Sequence, residues 1–574
     1  MTKLKIAAAA AGATMALAGG LAYGQRYKVV ADRFGLPPAR FGVKIERNLR
    51  VPMADGVILA ADHYYPSTPG DYPTLVRRTP YGRDNKSGPL GVFAATIAYL
   101  FAERGYHFIM QDVRGRFDSG GHFLPFENEG EDGYATLEWI SQQPWFNGAL
   151  GTWGESYNGW TQWTLTRKLP PYLKAMVPSI TSAYSYSYVY GAEGAFATGG
   201  LLSWLMSLEA GANGWSPRRI LNQVRSKQAA ARFSKATNHL PLGQADEIAV
   251  GRPLHYFRKW LLHPRSEDHF WEFSVREKLA GLTVPVNLIG GWYDIFLYDV
   301  LADYATLRHG GQQPYLTIGP YGHDLQAVMA SVREGLPWYE RYLKGEAGNL
   351  RAQPVSIYVM GADEWRSYDA WPPPASLNRY YLQAAGGLAA SEPPADSRAD
   401  HYRYDPADPT PSLGGPLLTS DAGPVDNRPL EARPDVLTYT TAPLTQAIEV
   451  IGPVRLELYC RSSLDYADFF ARLCDVQPDG RSINICDGLL RVRPSVGEVQ
   501  PDGSRRIVVE MWATAQRFAA GHRLRLQVSS GAHPRINRNL GTAESVLTAT
   551  RLLTADQTIY HDAAHPSALV LPVV

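Results

Sequence analysis

The spacing of apolar residues changes character along the chain, and each change predicts a different architecture. Residues 43–65 alternate at period two, from Lys44 to Met53 and from Val57 to Tyr65 about a turn at Asp55-Gly56, which predicts a β-hairpin. Beyond it, short apolar runs take turns with helix-spaced stretches. Thr74 to Arg77, Tyr106 to Gln111 and Leu150 to Trp153 read as strands. Phe93 to Arg104 reads as a helix, and so does Asp132 to Gln142, with Tyr134, Leu137 and Ile140 on one face. Strands alternating with helices mean βαβ units and a mostly parallel sheet. The pattern resumes at Val284 to Ile289 and at Tyr315 to Ile318. Between the two parts, from Thr166 to Pro253, strand signals vanish, and stretches such as Leu201 to Leu208 and Ile220 to Arg232 predict an inserted helical cap. Past Gly345, loops such as Trp371-Pro372-Pro373-Pro374 lead into short alternating segments, among them Val454 to Leu458, Ile507 to Met511 and Arg523 to Val528. These predict a β-sandwich.

The resulting division is an α/β core over 25–165 and 255–350, a cap over 166–254 and a β-sandwich over 351–574. Residues 1–24 read as an address. Lys3 and Lys5 precede an uncharged run of mostly Ala, Gly and Leu that ends at Ala22-Tyr23-Gly24, the layout of a secretory signal peptide. Cleavage there predicts a secreted or periplasmic protein with no stable membrane association; an uncleaved run of this length would be a membrane anchor instead.

Charge narrows the partners. Fifty-six basic against 55 acidic side chains leave a net +1, without the excess a nucleic-acid binder needs. The three cysteines, Cys460, Cys474 and Cys486, allow one bridge but no disulfide framework, and no Cys/His spacing of zinc type occurs. No metal or cofactor is expected. A homo-oligomer is compatible with the sequence.

Candidate chemistry centres on Thr152-Trp153-Gly154-Glu155-Ser156-Tyr157-Asn158-Gly159, between the Leu150 strand and a helix-like stretch. A serine on a tight strand-to-helix turn is lifted above the sheet edge with a helix N-terminus beneath it. The second glycine sits one place later than in G-x-S-x-G. In this kind of fold the acid and then the histidine follow the serine, at the C-terminal ends of later strands. Two strands qualify: one leads to Gly291-Trp292-Tyr293-Asp294, the other to Gly319-Pro320-Tyr321-Gly322-His323. Ser156, Asp294 and His323 are thus the candidate nucleophile, acid and base, with Asp299 and His309 as rivals. The N–H of Tyr157 is one expected oxyanion donor. The loop Arg77 to Arg83 lacks glycines that would offer a second backbone donor, so the Tyr81 hydroxyl is expected there. Arg77, Arg78 and Arg83 read as structural ion-pair residues.

These segments, together with Arg78-Thr79-Pro80-Tyr81, Gln111 to Arg116, Thr438 to Leu444, Asp475 to Gly480 and Phe518 to His522, resemble the family of bacterial cocaine esterase, X-prolyl dipeptidyl peptidase, α-amino acid ester hydrolase and glutaryl-cephalosporin acylase, in the same order from about residue 43 to 574. The shifted glycine is this family's own pattern. The resemblance implies an α/β-hydrolase core with an inserted helical cap, a C-terminal all-β jelly roll, and an oxyanion hole of Tyr81 hydroxyl and Tyr157 N–H. It also implies an aromatic acyl pocket, matched by Trp204 and Phe296, with Tyr190 in the cap run Tyr188-Val189-Tyr190-Gly191 where relatives carry a tryptophan. Only Glu193 lies where amino-ester hydrolases hold an ammonium group, which gives no support to an α-amino requirement. The expected activity is serine hydrolysis of small-molecule esters with a bulky or aromatic acyl group through an acyl-enzyme; an amide or β-lactam side-chain acylase, or an aminopeptidase-like hydrolase, is the alternative on the same residues. A binding protein on a decayed core is the non-enzyme reading.

Overall fold

A computed structural model describes residues 25–84, 87–191, 194–212, 227–346, 350–419 and 421–574. The expected leader over 1–24, Glu193 and most of the expected helix Ile220 to Arg232 lie outside these residues. The core is a ten-stranded sheet. Strands β1 (Val43–Pro52) and β2 (Ile58–Pro66) form the hairpin; β3 (Thr74–Thr79), β4 (His107–Asp112), β5 (Leu150–Glu155), β6 (Leu173–Ser179), β7 (Asn287–Gly291), β8 (Tyr315–Gly319), β9 (Val355–Val359) and β10 (Glu364–Tyr368) follow. Their spatial order is β1-β2-β4-β3-β5-β6-β7-β8-β9-β10, with β4 through β9 parallel and the outer pairs antiparallel.

The central strands are covered on both faces, so they read as apolar runs. On one face Leu75, Phe108, Trp153, Val177 and Ile289 share a core with helices α1 (Gln25–Phe34), α2 (Pro89–Ala102) and, at the far end of the chain's core, Leu325–Leu343. Their neighbours Val76, Ile109, Met176 and Leu288 face the other way, under α3 (Glu129–Ser141) and the helix Leu297–His309. The strand β5 turns at Ser156 into α4 (Tyr157–Trp163). The cap holds α5 (Ser185–Tyr190), α6 (Thr198–Ala212), α7 (Lys227–Asn238), α8 (Ala245–Val250) and α9 (His255–Leu262); the chain then returns through short 3-10 turns ending at Gly281. The helices flanking β8 are α10 (Leu297–His309) and α11 (Leu325–Leu343). Residues 376–573 form the twelve-stranded jelly-roll sandwich.

Three expected boundaries are corrected. The cap, expected from residue 166, begins only after β6, a central strand of the core. Lys174 and Pro178 break its apolar run. Proline is tolerated because the β6–β7 ladder is sparse, touching at Met176, Ser179 and Ile180. The cap also runs past 254, through α9. The sandwich, expected from residue 351, begins later: β9 and β10 complete the core sheet. The seam follows at once, where the Met360 N–H donates to the Ala515 carbonyl at 2.9 Å and the Arg517 N–H to the Met360 carbonyl at 2.8 Å. Among the described residues no helix is long and apolar enough to cross a membrane.

One buried pair gives the fold a pH dependence. His63 on β2 and His107 on β4 share a hydrogen bond, Nε2 to Nδ1, of 2.8 Å, and both rings lie against Trp145. Burial depresses both imidazoles, His63 to about 3 and His107 to about 4. An unfolded imidazole protonates near 6.5. The unfolded chain therefore binds more protons below that pH, and the folded state loses about 2 kcal/mol for each ring by about pH 4.5. Denaturant melts between pH 7 and 4.5 are expected to show this loss, and His107→Gln to show a shallower fall with acid than the parent.

Candidate active site

The turn after β5 is held by close packing. Ser156 has φ 55° and ψ −125°, a conformation side chains rarely adopt. A Cβ added at Gly154 would lie 2.6 Å from the Asn158 Cβ, and one at Gly159 would lie 2.5 Å from the Thr181 Cγ2. That contact with Thr181, just past β6, explains the late second glycine: residue 159, not 158, faces the neighbouring strand. The Ser156 N–H donates to the Ser179 carbonyl at 2.9 Å, and Thr181 Oγ1 donates to the Ser156 carbonyl at 2.7 Å, so β6 grips the turn from both sides.

The structure brings the three expected side chains together. His323 Nε2 is 2.9 Å from Ser156 Oγ, and His323 Nδ1 is 2.7 Å from Asp294 Oδ2. Asp294, at the end of β7, is fully buried, and its other oxygen accepts from the Phe296 N–H at 2.8 Å. The rivals are engaged elsewhere. Asp299 is ion-paired with Arg276 and accepts from Ser187 Oγ at 2.8 Å. His309 ends α10, before β8 rather than after it. In such a chain of hydrogen bonds the imidazole can take the serine proton while the carboxylate holds its tautomer.

Tyr81 stands in the cleft with its hydroxyl at Ser156, and burial pushes its phenol up to about 12. The Trp204 Nε1–H donates to that hydroxyl at 3.1 Å. This uses a lone pair of the phenol oxygen and leaves its proton for the serine's side. Tyr157 opens α4, so its N–H points out of the helix start. Its side chain is pinned below: its hydroxyl donates to Glu129 Oε1 at 2.9 Å and accepts from the Phe126 N–H at 3.0 Å. The arginines of the Tyr81 loop are ion-paired, as expected: Arg77 with Glu155, Arg78 with Glu129 at 3.0 Å, and Arg83 with Asp112 and with Asp62 at 3.1 Å.

A cleft of about 2080 Å³ opens over Ser156, between core, cap and sandwich. Trp204 and Phe296 line it. Tyr190 does not: it is buried in the cap against Tyr186 and Phe196, its hydroxyl donating to the Trp260 carbonyl at 2.9 Å. Tyr188 lines the cleft in its place, with its ring 4.5 Å from that of Phe296. On a helix two residues turn the side chain through about 200°, so Tyr188 and Tyr190 face opposite ways. Sequence reasoning also missed Phe126, whose ring sits 4.8 Å from Tyr188 and 6.1 Å from Trp204. It lies in a loop at φ 77°, where no periodicity marks it. From the sandwich, Leu417, Leu418 and Trp512 complete the wall. Among the described residues no group of three or more His, Cys, Asp or Glu side chains could hold a metal ion, and the three cysteines are free and buried in the sandwich.

A sequence model of the X-Pro dipeptidyl-peptidase (S15) family matches residues 55–324, and one of the X-Pro dipeptidyl-peptidase C-terminal non-catalytic domain matches residues 349–570. Cocaine esterase of Rhodococcus sp. is 34% identical over 92% of this chain and 98% of its own. Among solved structures, an aminopeptidase from a marine sediment Thaumarchaeota archaeon superposes with a TM-score of 0.79 at 25% identity, covering 94% of this chain and 98% of its own. An α-amino acid ester hydrolase superposes with a TM-score of 0.80 at 24% identity over the same shares, a likeness of fold.

The packing at Gly159 makes a prediction. Gly159→Ala puts a methyl against Thr181 where no space exists. Overpacking of this kind costs about 1–3 kcal/mol, so a lowered melting temperature is expected. Pairing it with Thr181→Ser, which removes the clashing Cγ2, should restore part of the loss.

Proposed function

The chain belongs to the family of cocaine esterase and the X-Pro dipeptidyl-peptidases (S15), a serine hydrolase family, and from that premise we propose that it cleaves carboxylic esters with a bulky or aromatic acyl group, using Ser156, His323 and Asp294. The observation that carries the reading is the hydrogen-bond chain of 2.9 and 2.7 Å from Ser156 through His323 to Asp294, opening into a pocket of four aromatic rings, Phe126, Tyr188, Trp204 and Phe296.

Ser156 Oγ attacks the ester carbonyl carbon as His323 Nε2 takes its proton. Asp294 Oδ2 accepts the Nδ1–H of the resulting imidazolium and stabilises its charge. Negative charge gathers on the carbonyl oxygen, between the Tyr81 hydroxyl and the Tyr157 N–H. The phenol's high value keeps Tyr81 a donor throughout the neutral range. The imidazolium then protonates the leaving oxygen, the C–O bond breaks and the alcohol departs. Water repeats the sequence in reverse, taking the acyl group from Ser156 as the free acid. The acyl group lies among the aromatic rings, which suit a bulky or aromatic acyl group. We infer from the basic, then apolar, then small-residue order of residues 1–24 that the enzyme acts outside the cytoplasm.

Two tests follow. Ser156→Ala is expected to abolish labelling by a fluorophosphonate probe and nearly all turnover of an aryl ester. Asp294→Asn should lower kcat by about 10⁴, through the wrong imidazole tautomer; retained activity there would remove Asp294 from the reading.

Tyr81→Phe keeps the ring and deletes the donor. A fall in kcat of about 10²–10³ with KM little changed is expected. Trp204→Phe should give a smaller fall in kcat, and none in a Tyr81→Phe background; a kcat for Tyr81→Phe within about threefold of the parent would move the second donor elsewhere.

A further inference from the structure

The cleft does not end at the aromatic pocket. It continues past His323 into a second, apolar arm between α1, α2 and α11. Val29, Val30 and Phe34 of α1 form one wall, Leu90 and Phe93 of α2 another, and Leu325, Val328 and Met329 of α11 the third. The polar side chains that these helices contribute are Arg33, Gln326 and Arg333, all exposed, and the half-buried Arg26 and Thr96. The arm's outer lip is unusually apolar for a surface: Val29 is 42% exposed, Leu90 51% and Leu325 43%. Exposed apolar residues that cluster at the mouth of a cleft mark a ligand groove.

The helix α1 is what makes this arm. It lies outside residues 55–324, the span matched by the family's sequence model. It is firmly built in: Tyr27, Ala31 and Phe34 are buried in the core shared with α2 and α11, and the Tyr27 ring stacks on Tyr99 at 3.6 Å. Its other residues, Val29, Val30 and Arg33, are left to face the cleft.

The position of the arm decides what it takes. The leaving oxygen of an ester must reach His323 Nε2 for its proton. The residues that follow His323 in the chain, Leu325, Val328 and Met329, line the arm. In the aromatic pocket Trp204 is bonded to the Tyr81 hydroxyl and lies beside Phe126, and Phe296 carries that pocket up to the His323 ring at 5.7 Å, so the arm begins on the far side of His323 from Tyr81. We propose that the arm between α1, α2 and α11 binds the alkyl chain of the ester's alcohol, so that the preferred substrates are aromatic or bulky acids esterified to long aliphatic alcohols. This rests on the reading of Ser156 as the nucleophile and His323 as the proton donor.

The test is a series of benzoate esters of linear alcohols, from ethyl to octyl, assayed as kcat/KM beside ethyl esters of linear fatty acids. Each methylene added to the alcohol is expected to raise kcat/KM about two- to fourfold until the arm is filled, the gain from burying a CH₂ group. Lengthening the acyl chain should give no such run. Val29→Glu and Leu90→Glu, both at exposed positions, should each cut the octyl-to-ethyl ratio at least tenfold. With the parent enzyme, 1-octanol should compete with ethyl benzoate far better than ethanol does, a measurement that needs no variant. Turnover of short esters with no rise along the alcohol series, a rise along the acyl series instead, or an octyl-to-ethyl ratio untouched by both substitutions overturns the arm. Failure of every ester, with no fluorophosphonate labelling of Ser156, overturns the hydrolase reading itself and the arm with it.

Discussion

Everything at this site hangs on one strained residue. Ser156 is held at φ 55° between a strand and a helix, and nothing in its own side chain favours that state. The surroundings impose it. Gly154 and Gly159 let the helix and β6 close in to contact distance, and backbone bonds to Ser179 and from Thr181 clamp the turn. The serine oxygen is thereby fixed in space, and the ends of β7 and β8 need only deliver Asp294 and His323 to it. Because β5, β6, β7 and β8 are neighbours in the parallel sheet, their C-terminal ends bring the turn, Asp294 and His323 to one edge.

Buried charge supports that geometry from below. Arg77, Arg78 and Arg83 enter the core from the strand and loop that carry Tyr81, and each meets a carboxylate from another element: Glu155 beside Ser156, Glu129 on α3, Asp112 at the end of β4. Such pairs add little net stability, since desolvation offsets their attraction. Their effect is positional. Breaking one would leave a buried charge unpaired, so the loop that presents the phenol has one acceptable arrangement.

Much of this was legible in the chain. Ser156, Asp294, His323, Tyr81 and Tyr157 each sit within a few residues of the C-terminal end of an apolar run, and a parallel sheet gathers such ends at one edge. What lay beyond reach was not tied to a strand end. Phe126 occupies an aperiodic loop. Tyr188 and Tyr190 are equivalent by composition and separated only by the phase of a short helix. The strand β6 was hidden by Lys174 and Pro178, and β9 alternates as a sandwich strand does, so nothing within Val355–Val359 says which sheet it joins. The division of the cleft wall among three parts of the chain is a property of packing, which a reading along the sequence does not see.

That division has a consequence for how such an enzyme changes over generations. The strained turn and its partners tolerate almost no variation, because each contact is set by a missing methyl or a buried charge. The walls are supplied by the cap, the N-terminal helix α1 and the sandwich, whose residues Leu417, Leu418 and Trp512 line the cleft. Substitutions there alter what the cleft admits while the chemistry stays intact. Substrate preference can therefore shift at the periphery with the turn and its partners unaltered, because the helix at the edge meets the cleft without touching the strained turn.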